Sequence, residues 1–412
     1  MKVLVIGGGV IGVCAAYYLA EAGQEVTLVE KGDLAAGCSY GNAGLVTPSH
    51  SIPLAAPGAL RSGLKWLLDP ESPFYVRPRP DPALVGWLAR FIRASRQQPM
   101  LAGLAVLSRL SLASRALFDH LAAIEGLEFG FQGRGLLLVF HSLPGLEAGR
   151  EEAHLLQGYG LASRVLDGDQ VRAVEPSLRP DMVGGVYFAD DAHLDPAAFV
   201  RGLGGWLAGR GIGIQTGVEV VGFETGGGRV RRVQTTHGDL EADQIILAAG
   251  SWSPGLARAL RLRLPIQPAK GYTLTVRRPA ISPAYPLILG EARMAVTPLG
   301  ERLRFGGTLE LAGFDESINR RRVAALERGL RRYLVGVEEL ELIELWRGLR
   351  PCTPDGLPIL GRAPGLSNLI VAAGHAMLGM SLGPITGKLA AQLACGQTPD
   401  FDLSPLNPAR FA

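Results

Sequence analysis

Cysteine and lysine are scarce in this chain of 412 residues, and their scarcity excludes several kinds of protein. The four cysteines, Cys14, Cys38, Cys352 and Cys395, lie far apart with no Cys-x-x-Cys pair, so the sequence predicts neither a zinc site nor a disulfide framework. Lysine accounts for five of the 41 basic residues, and 38 acidic residues are interspersed with them. A net charge of +3, with the basic residues scattered among acidic ones, argues against nucleic-acid binding.

Long apolar runs are also missing. The first strand begins at Val3, so we expect no cleavable leader ahead of the fold, and no run approaches the roughly 18 apolar residues of a membrane span. The sequence therefore predicts a cytoplasmic protein, with membrane contact limited to a peripheral one on the inner face of the cell membrane through the apolar residues 52–66. With 47% hydrophobic residues, the chain is long enough to build two domains.

The first thirty residues have the order of a dinucleotide-binding unit, which is strand, glycine turn, helix and second strand ending in an acid. Gly7 permits the tight turn, Gly9 lets the backbone approach a pyrophosphate, and Gly12 allows the helix to pack against the strand. Glu30 can accept hydrogen bonds from ribose hydroxyls and would repel a 2′-phosphate, which disfavours NADP. This unit alone does not distinguish NAD from FAD.

The remaining elements predict two interleaved domains, because nucleotide-binding patterns occur at the start, the middle and the end of the chain. Predicted helices cover residues 82–97, 103–124, 145–159, 196–210, 320–333 and 384–395, with Pro384 at the first position of the last helix. Predicted strands cover residues 135–140, 217–224, 229–235, 240–249, 269–277, 293–298, 303–309 and 369–373. Loops are predicted from residue 349 to 361 and from 374 to 383.

Several short motifs are more specific than the first glycine turn. They are Ser-Tyr-Gly-Asn-Ala-Gly-Leu at 39–45, Ala-Ala-Gly-Ser-Trp-Ser at 248–253, Lys-Gly-Tyr at 270–272, Trp-Arg-Gly-Leu-Arg-Pro at 346–351, Thr-Pro-Asp-Gly at 353–356 and Ala-Gly-His at 373–375. In this order and spacing, the chain resembles the FAD-dependent D-amino-acid dehydrogenase family of the D-amino-acid oxidase superfamily over essentially its whole length.

The resemblance implies that the cofactor is FAD. It places Glu30 on the adenosine ribose, Val220 at the adenine, and the small residues of the 39–45 motif along the pyrophosphate and flavin. Small residues suit this role because a diphosphate and a planar ring can approach them closely. The implied cofactor-binding residues are Gly7, Gly9, Val10, Ile11, Gly12, Glu30, Lys31, Ser39, Asn42, Ala43, Gly44, Leu45, Val220, Ala249, Gly250, Trp252, Gly374, His375, Leu378, Gly379 and Met380.

The last loop and helix carry an electrostatic argument. A reduced flavin bears negative charge over N1 and the C2 carbonyl, and a helix N-terminus aimed at that region stabilises the charge. The residues from Gly374 to Met380 lie just ahead of the predicted helix and are placed for this role. The alternative interpretation is an ordinary strand, loop and helix that close the sheet.

Four residues are candidates for contact with the substrate. Arg350 lies in a Gly-Leu-Arg-Pro segment, and the resemblance places such an arginine against the substrate carboxylate, which a guanidinium can bind through two parallel hydrogen bonds. Tyr272 could donate to the same carboxylate or pack as an aromatic residue in a strand. His50 could contact substrate or flavin, or be hydrogen-bonded for structural reasons, and Thr308 is predicted to line the pocket.

The resemblance implies oxidation of a D-amino acid at its Cα–N bond, with hydride transfer to the flavin and release of a 2-oxo acid and ammonia. A quinone or an artificial dye would then accept the electrons. Two alternatives stay open, namely an oxygen-dependent oxidase of glycine, sarcosine or D-proline-type amines, and a non-catalytic flavin-binding subunit. The sequence contains neither a visible metal cluster nor a visible nucleophile, in keeping with a reaction that needs positioning above all.

The predicted fold is α/β. A Rossmann-like FAD-binding domain of residues 1–48, 161–256 and 348–412 is interleaved with an α+β substrate-binding domain of residues 49–160 and 257–347. The second domain is predicted to be built on a largely antiparallel sheet.

Overall fold

A computed structural model describes residues 1–58 and 72–411. Nine α-helices lie in these ranges: α1 (Val10–Glu21), α2 (Pro82–Ala94), α3 (Gln97–Ala122), α4 (Leu143–Gln157), α5 (Gly168–Val174), α6 (Pro196–Ala208), α7 (Ser253–Ala259), α8 (Arg320–Tyr333) and α9 (Gly379–Ala394). The strands are β1 (Lys2–Ile6), β2 (Glu25–Glu30), β3 (Leu45–Val46), β4 (Phe74–Val76), β5 (Leu136–Phe140), β6 (Ser163–Asp167), β7 (Gly184–Phe188), β8 (Ala192–His193), β9 (Gly213–Thr216), β10 (Val220–Gly226), β11 (Arg229–Thr235), β12 (Gly238–Leu240), β13 (Gln244–Leu247), β14 (Gln267–Arg277), β15 (Leu287–Leu289), β16 (Met294–Leu299), β17 (Arg302–Leu311), β18 (Leu342–Cys352), β19 (Ile359–Arg362) and β20 (Leu369–Ala373).

The opening residues form the predicted strand, helix and strand at the centre of a six-stranded sheet. Its strand order is β19-β20-β13-β1-β2-β9, and only the pair β19–β20 is antiparallel. The apolar residues of β1 are buried on both faces, as in other parallel sheets. Gly12 has the predicted packing role, because a Cβ atom there would lie 1.8 Å from the carbonyl oxygen of Gly7.

The helix α9 packs against α1 with close backbone contact. A Cβ atom at Gly387 would lie 2.5 Å from the carbonyl carbon of Cys14, and one at Gly383 would lie 2.6 Å from a methyl group of Val10. The predicted start at Pro384 is wrong, since α9 begins at Gly379 and Pro384 lies inside it. The prediction failed because Gly379 and Gly383 indicate a loop locally, whereas close helix packing is the reason for a small residue at Gly383.

A second, nine-stranded sheet has the order β18-β14-β17-β16-β15-β5-β7-β6, with β4 paired to β17. It is largely antiparallel, as predicted, and β5–β15 and β4–β17 are its parallel pairs. The predicted loop from residue 349 is wrong at its start, because residues 349–352 belong to β18. Pro351 fits there because β18 is an edge strand, in which a missing backbone N–H breaks no ladder.

Two predicted domain boundaries do not follow the sheets. The strands β6 and β7 pair in the second sheet, although the boundary at residue 161 placed them in the FAD-binding domain. The boundary at residue 348 falls within β18. The partner of β7 is β5, a pairing between distant segments that periodicity does not reveal. The other domain boundaries stay a prediction.

The helix α3 is long and apolar enough to cross a membrane by length and composition, with a mean hydropathy of 1.4 over its most apolar window. The prediction concerned uninterrupted apolar runs, and serine and arginine residues interrupt this helix, as at Ser108 and Arg109. Leu104, Leu107 and Phe118 on this helix are buried in the core, and Ser114 accepts a hydrogen bond from the backbone of Ile385 in α9 at 3.4 Å. Core packing thus accounts for its apolar face. The predicted membrane contact at 52–66 lies partly outside the described residues.

Candidate active site

A cavity of about 500 Å³ lies at the carboxyl ends of β1, β2, β13 and β20. In a sheet of this type, ligands bind at that edge. The cavity brings together most of the predicted cofactor-binding residues, which are Gly7, Gly9, Val10, Ile11, Glu30, Lys31, Ser39, Asn42, Val220, Ala249, Gly250, Trp252, His375, Gly379 and Met380.

Six predicted cofactor residues are outside the cavity lining, namely Gly12, Ala43, Gly44, Leu45, Gly374 and Leu378. Close packing explains two of these glycines. A Cβ atom at Gly44 would lie 2.1 Å from the carbonyl oxygen of Leu194, and one at Gly374 would lie 2.6 Å from Thr353. Leu378 precedes the first residue of α9, and its amide donates to the carbonyl of His375 at 2.9 Å.

Glu30, predicted to bind the adenosine ribose, lines the cavity together with Lys31. The Glu30 carboxylate accepts hydrogen bonds from the amides of Gly8 at 2.7 Å and Gly32 at 3.0 Å, which connects β2 to the glycine turn. The Lys31 ammonium lies 4.1 Å from the centre of the Trp252 ring. The cavity also includes Cys38, Val218, Glu219, Glu316 and Ala376, which sequence reasoning did not assign. Cys38 directly precedes the 39–45 motif, whereas no residue pattern in the sequence indicated the other four.

The glycine turn presents backbone amides to the cavity. Gly9 precedes α1, and the amide groups of the first helical turn have no partner within the helix. The amide of Val10 donates to the Ser39 hydroxyl at 3.0 Å. A Cβ atom at Gly9 would lie 3.3 Å from that hydroxyl oxygen, so a side chain would crowd the turn. This arrangement attracts an anion. Together with Glu30, these residues fit the diphosphate and ribose of FAD.

The N-terminus of α9 reaches the cavity through Gly379 and Met380. The loop ahead of it is attached to the edge strand, because the Ala376 amide donates to the carbonyl of Pro351 at 2.9 Å. The His375 ring lies 3.0 Å from the Thr386 hydroxyl, and burial lowers the pKa of His375 to about 3. His375 is therefore neutral at neutral pH.

Arg350 lies between Leu349 and Pro351, both of which line the cavity, although Arg350 itself does not. Its guanidinium crosses the neighbouring strand over Gly271, where a Cβ atom would lie 1.7 Å from Nη1. Nη1 donates to the Thr308 carbonyl at 2.9 Å. The side chain is thus held in one place beside the cavity wall.

Tyr272 lies apart from the Arg350 guanidinium, and its predicted contact with the same carboxylate stays a prediction. Side chains alternate across a strand, so Tyr272 lies on the face of β14 opposite to the one crossed by Arg350. Its ring is fully buried, and its hydroxyl accepts a hydrogen bond from the Asn319 amide at 3.2 Å. Burial raises the pKa of Tyr272. The alternative interpretation, an aromatic residue packed in a strand, agrees with this geometry.

His50 and Thr308 are also outside the cavity lining. His50 Nδ1 lies 3.0 Å from the Ser49 hydroxyl, which donates to the buried Asp191 carboxylate at 2.5 Å. Burial lowers the pKa of His50 to about 4 and raises that of Asp191 to about 7. These contacts favour the structural interpretation of His50. Thr308 lies in β17 beside Arg350, to which it contributes its backbone carbonyl.

Residues 2–393 match the model of the DAO family of FAD-dependent oxidoreductases, and the chain belongs to this family. The D-amino acid dehydrogenase of Methylobacterium nodulans is 38% identical over an alignment that covers 100% of this chain and 99% of that protein. The D-amino acid dehydrogenase of Xanthobacter autotrophicus is 35% identical with the same coverage. The predicted family is therefore confirmed, and with it FAD as the cofactor.

Solved structures agree in fold. Glycine oxidase from Bacillus cereus superimposes with a TM-score of 0.78 at 26% identity, covering 97% of this chain and 96% of that chain. Glycine oxidase from Geobacillus kaustophilus gives a TM-score of 0.81 at 24% identity, with 99% of each chain covered. The predicted fold class, a Rossmann-like FAD-binding domain joined to a substrate domain, is confirmed.

Proposed function

We propose that this protein is a D-amino-acid dehydrogenase that converts D-amino acids to 2-oxo acids and ammonia. The observation that carries the proposal is the position of Arg350. Its guanidinium is held over Gly271, and its two sequence neighbours, Leu349 and Pro351, line a cavity that fits FAD. Full-length relatives named D-amino acid dehydrogenase support the same activity.

Arg350 binds the substrate carboxylate in this proposal. Among the described residues it makes one hydrogen bond, from Nη1 to the Thr308 carbonyl, so Nε and Nη2 keep donors for a ligand. A carboxylate accepts two parallel hydrogen bonds from such a group, which determines both its position and its orientation. Arg350→Ala should therefore raise KM for the amino acid strongly and leave FAD bound.

Bound FAD supplies an acceptor for two electrons and the hydrogen of the Cα–H bond. The protein contributes position and electrostatics. The N-terminus of α9 at Gly379 directs its positive end toward the cavity and stabilises negative charge there. Leu349, Met380 and the alanines of β20 give that wall an apolar lining that excludes water. Neutral His375 adds no positive charge to the cavity.

The electron acceptor is part of the proposal. We assign it to a quinone, replaced by an artificial dye in the assay, and place the enzyme in the cytoplasm or at the inner face of the cell membrane. The word dehydrogenase in the names of the relatives supports an acceptor other than oxygen. The oxidase alternative is favoured by one observation, the 26% identity with a glycine oxidase over nearly the whole chain.

One assay separates these functions. Purified holoprotein is mixed with D-alanine, D-proline, D-phenylalanine, glycine or sarcosine, and dye reduction and hydrogen peroxide are measured in parallel. We expect dye reduction with D-amino acids and little peroxide. Peroxide release equal to substrate loss would establish the oxidase, and absence of both signals with every amine would favour a non-catalytic flavin-binding subunit.

A further inference from the structure

The strand β17 is irregular directly beside Arg350. Its register against β14 shifts between Lys270 and Tyr272, so β17 contains an extra residue at this point, which is a β-bulge. Thr308 in this bulge has a φ of 66°. The left-handed conformation is rare for a β-branched residue, and such strain persists where the surrounding structure maintains it, often at functional sites.

The bulge orients Arg350. It frees the Thr308 carbonyl from the strand ladder, and that oxygen accepts the hydrogen bond from Arg350 Nη1 at 2.9 Å. The missing side chain at Gly271 leaves the space through which the guanidinium passes. Two backbone features of neighbouring strands therefore determine where the positive charge lies.

The side chain of Thr308 has a further property. The residue is only 9% exposed, and its hydroxyl oxygen is buried without a hydrogen-bond partner in the described part of the chain. A buried hydroxyl without a partner costs free energy, which a ligand with an acceptor atom recovers. An ionised carboxylate offers about four acceptor positions on two oxygens, more than one guanidinium uses.

We infer that Thr308 is a second binding residue for the substrate carboxylate. Its carbonyl holds Arg350 in place, and its hydroxyl donates a hydrogen bond to the carboxylate that Arg350 binds. This inference rests on the proposed function, since it assigns a partner to the same carboxylate.

Thr308→Val removes the hydroxyl and keeps the shape of the side chain, whereas Thr308→Ser keeps the hydroxyl. A matched control is Thr297→Val in β16. Thr297 is also buried with an unpartnered hydroxyl, but in the strand register it lies opposite Arg304 of β17. For each holoenzyme, FAD content, KM and kcat for D-alanine, and the Kd of acetate from the flavin absorbance are measured.

We expect Thr308→Val to raise both the KM for D-alanine and the Kd of acetate by about tenfold or more, the loss typical of one hydrogen bond to a charged group. Its kcat and FAD content should stay within about threefold of those of the wild type, because positioning of the carboxylate is the property that changes. Thr308→Ser and Thr297→Val should keep wild-type constants within the same range.

Equal effects of the valine changes at Thr308 and Thr297, or unchanged acetate binding in Thr308→Val, would overturn the inference. If the valine variant lost FAD, Thr308→Ala, which removes the hydroxyl without adding atoms, gives the answer by the same acetate titration. Acetate binding does not require turnover. A wild-type enzyme that oxidises no D-amino acid would therefore contradict the proposed function separately, while the acetate result still reports on Thr308.

Discussion

At the residue scale, the site depends on a position that has no side chain. Arg350 occupies its place because Gly271, in the neighbouring strand β14, has no side chain that would fill the space of the guanidinium. The backbone oxygen of Thr308 then orients the guanidinium. The sequence pairs Gly271 with Lys270 and Tyr272 in one motif, yet the glycine and the tyrosine act on opposite faces of the sheet.

Gly271→Ala should therefore impair substrate binding more than folding. The new Cβ atom would lie 1.7 Å from Arg350 Nη1. The flexible arginine side chain would move away, and the backbone would keep its place. We expect KM for D-alanine to rise about tenfold or more, with FAD content unchanged. The same substitution at Gly205 in α6, where no atom lies within 4 Å, is the control and should leave KM unaltered. Wild-type KM in Gly271→Ala would contradict the assigned position of Arg350.

The second prediction at this scale concerns pH. Burial lowers the pKa of His375 from 6.5 to about 3, so the folded protein binds this proton less readily than the unfolded chain. The contribution to stability is complete above about pH 6.5 and is lost as the pH falls toward about 3, by at most about 1.4 kcal/mol per pH unit. Urea unfolding between pH 7 and pH 4 should show a shallower loss for His375→Gln. Parallel pH profiles would show that His375 is not the group responsible.

At the element scale, the contact between α1 and α9 connects the two ends of the nucleotide-binding domain. Gly383 and Gly387 let the helices approach so closely that a side chain at either position would meet α1. This contact places the N-terminus of α9 at the cavity, next to the helix that begins at the glycine turn. The prediction that the helix starts at Pro384 was wrong because the glycines before it resemble a loop. Local sequence does not show that Gly383 is needed for packing against α1.

Gly387→Ala should destabilise the protein by about 1–3 kcal/mol, the usual cost of overpacking, because the added carbon would lie 2.5 Å from the α1 backbone. Urea denaturation followed by fluorescence measures the change. Gly205→Ala again provides the comparison and should be neutral or stabilising by up to about 1 kcal/mol, because it lies in a helix with free space around it. Equal stabilities of the two variants would rule out the tight contact.

At the scale of the whole molecule, the cavity lies where the carboxyl edge of the parallel sheet meets the edge strand β18 of the second sheet. Hydrogen bonds join the sheets at this place. Arg304 in β17 donates to the carbonyls of Tyr40 at 3.2 Å and Asn42 at 3.0 Å, and the Thr273 hydroxyl donates to the carbonyl of Gly41 at 3.0 Å. The loop predicted to bind the cofactor is thus supported by the sheet that carries Arg350.

The parts of this arrangement that depend on residues close together in the sequence were predictable. The glycine turn, Glu30 and the buried strand β20 follow from local patterns. Short motifs with a family resemblance located residues that line the cavity. Pairing between distant strands was not predictable in the same way. The register that separates Tyr272 from Arg350, the strand character of residues 349–352, and the membership of β6 and β7 in the second sheet all depend on partners far away in the chain.

The most direct test of the account is anaerobic titration of the flavin absorbance with D-alanine and L-alanine, in the wild type and in Arg350→Ala. We predict that D-alanine bleaches the wild-type flavin and L-alanine does not, and that Arg350→Ala keeps its FAD but needs a much higher D-alanine concentration. A flavin that no D-amino acid bleaches, or equal concentration dependence in the two proteins, would contradict the account.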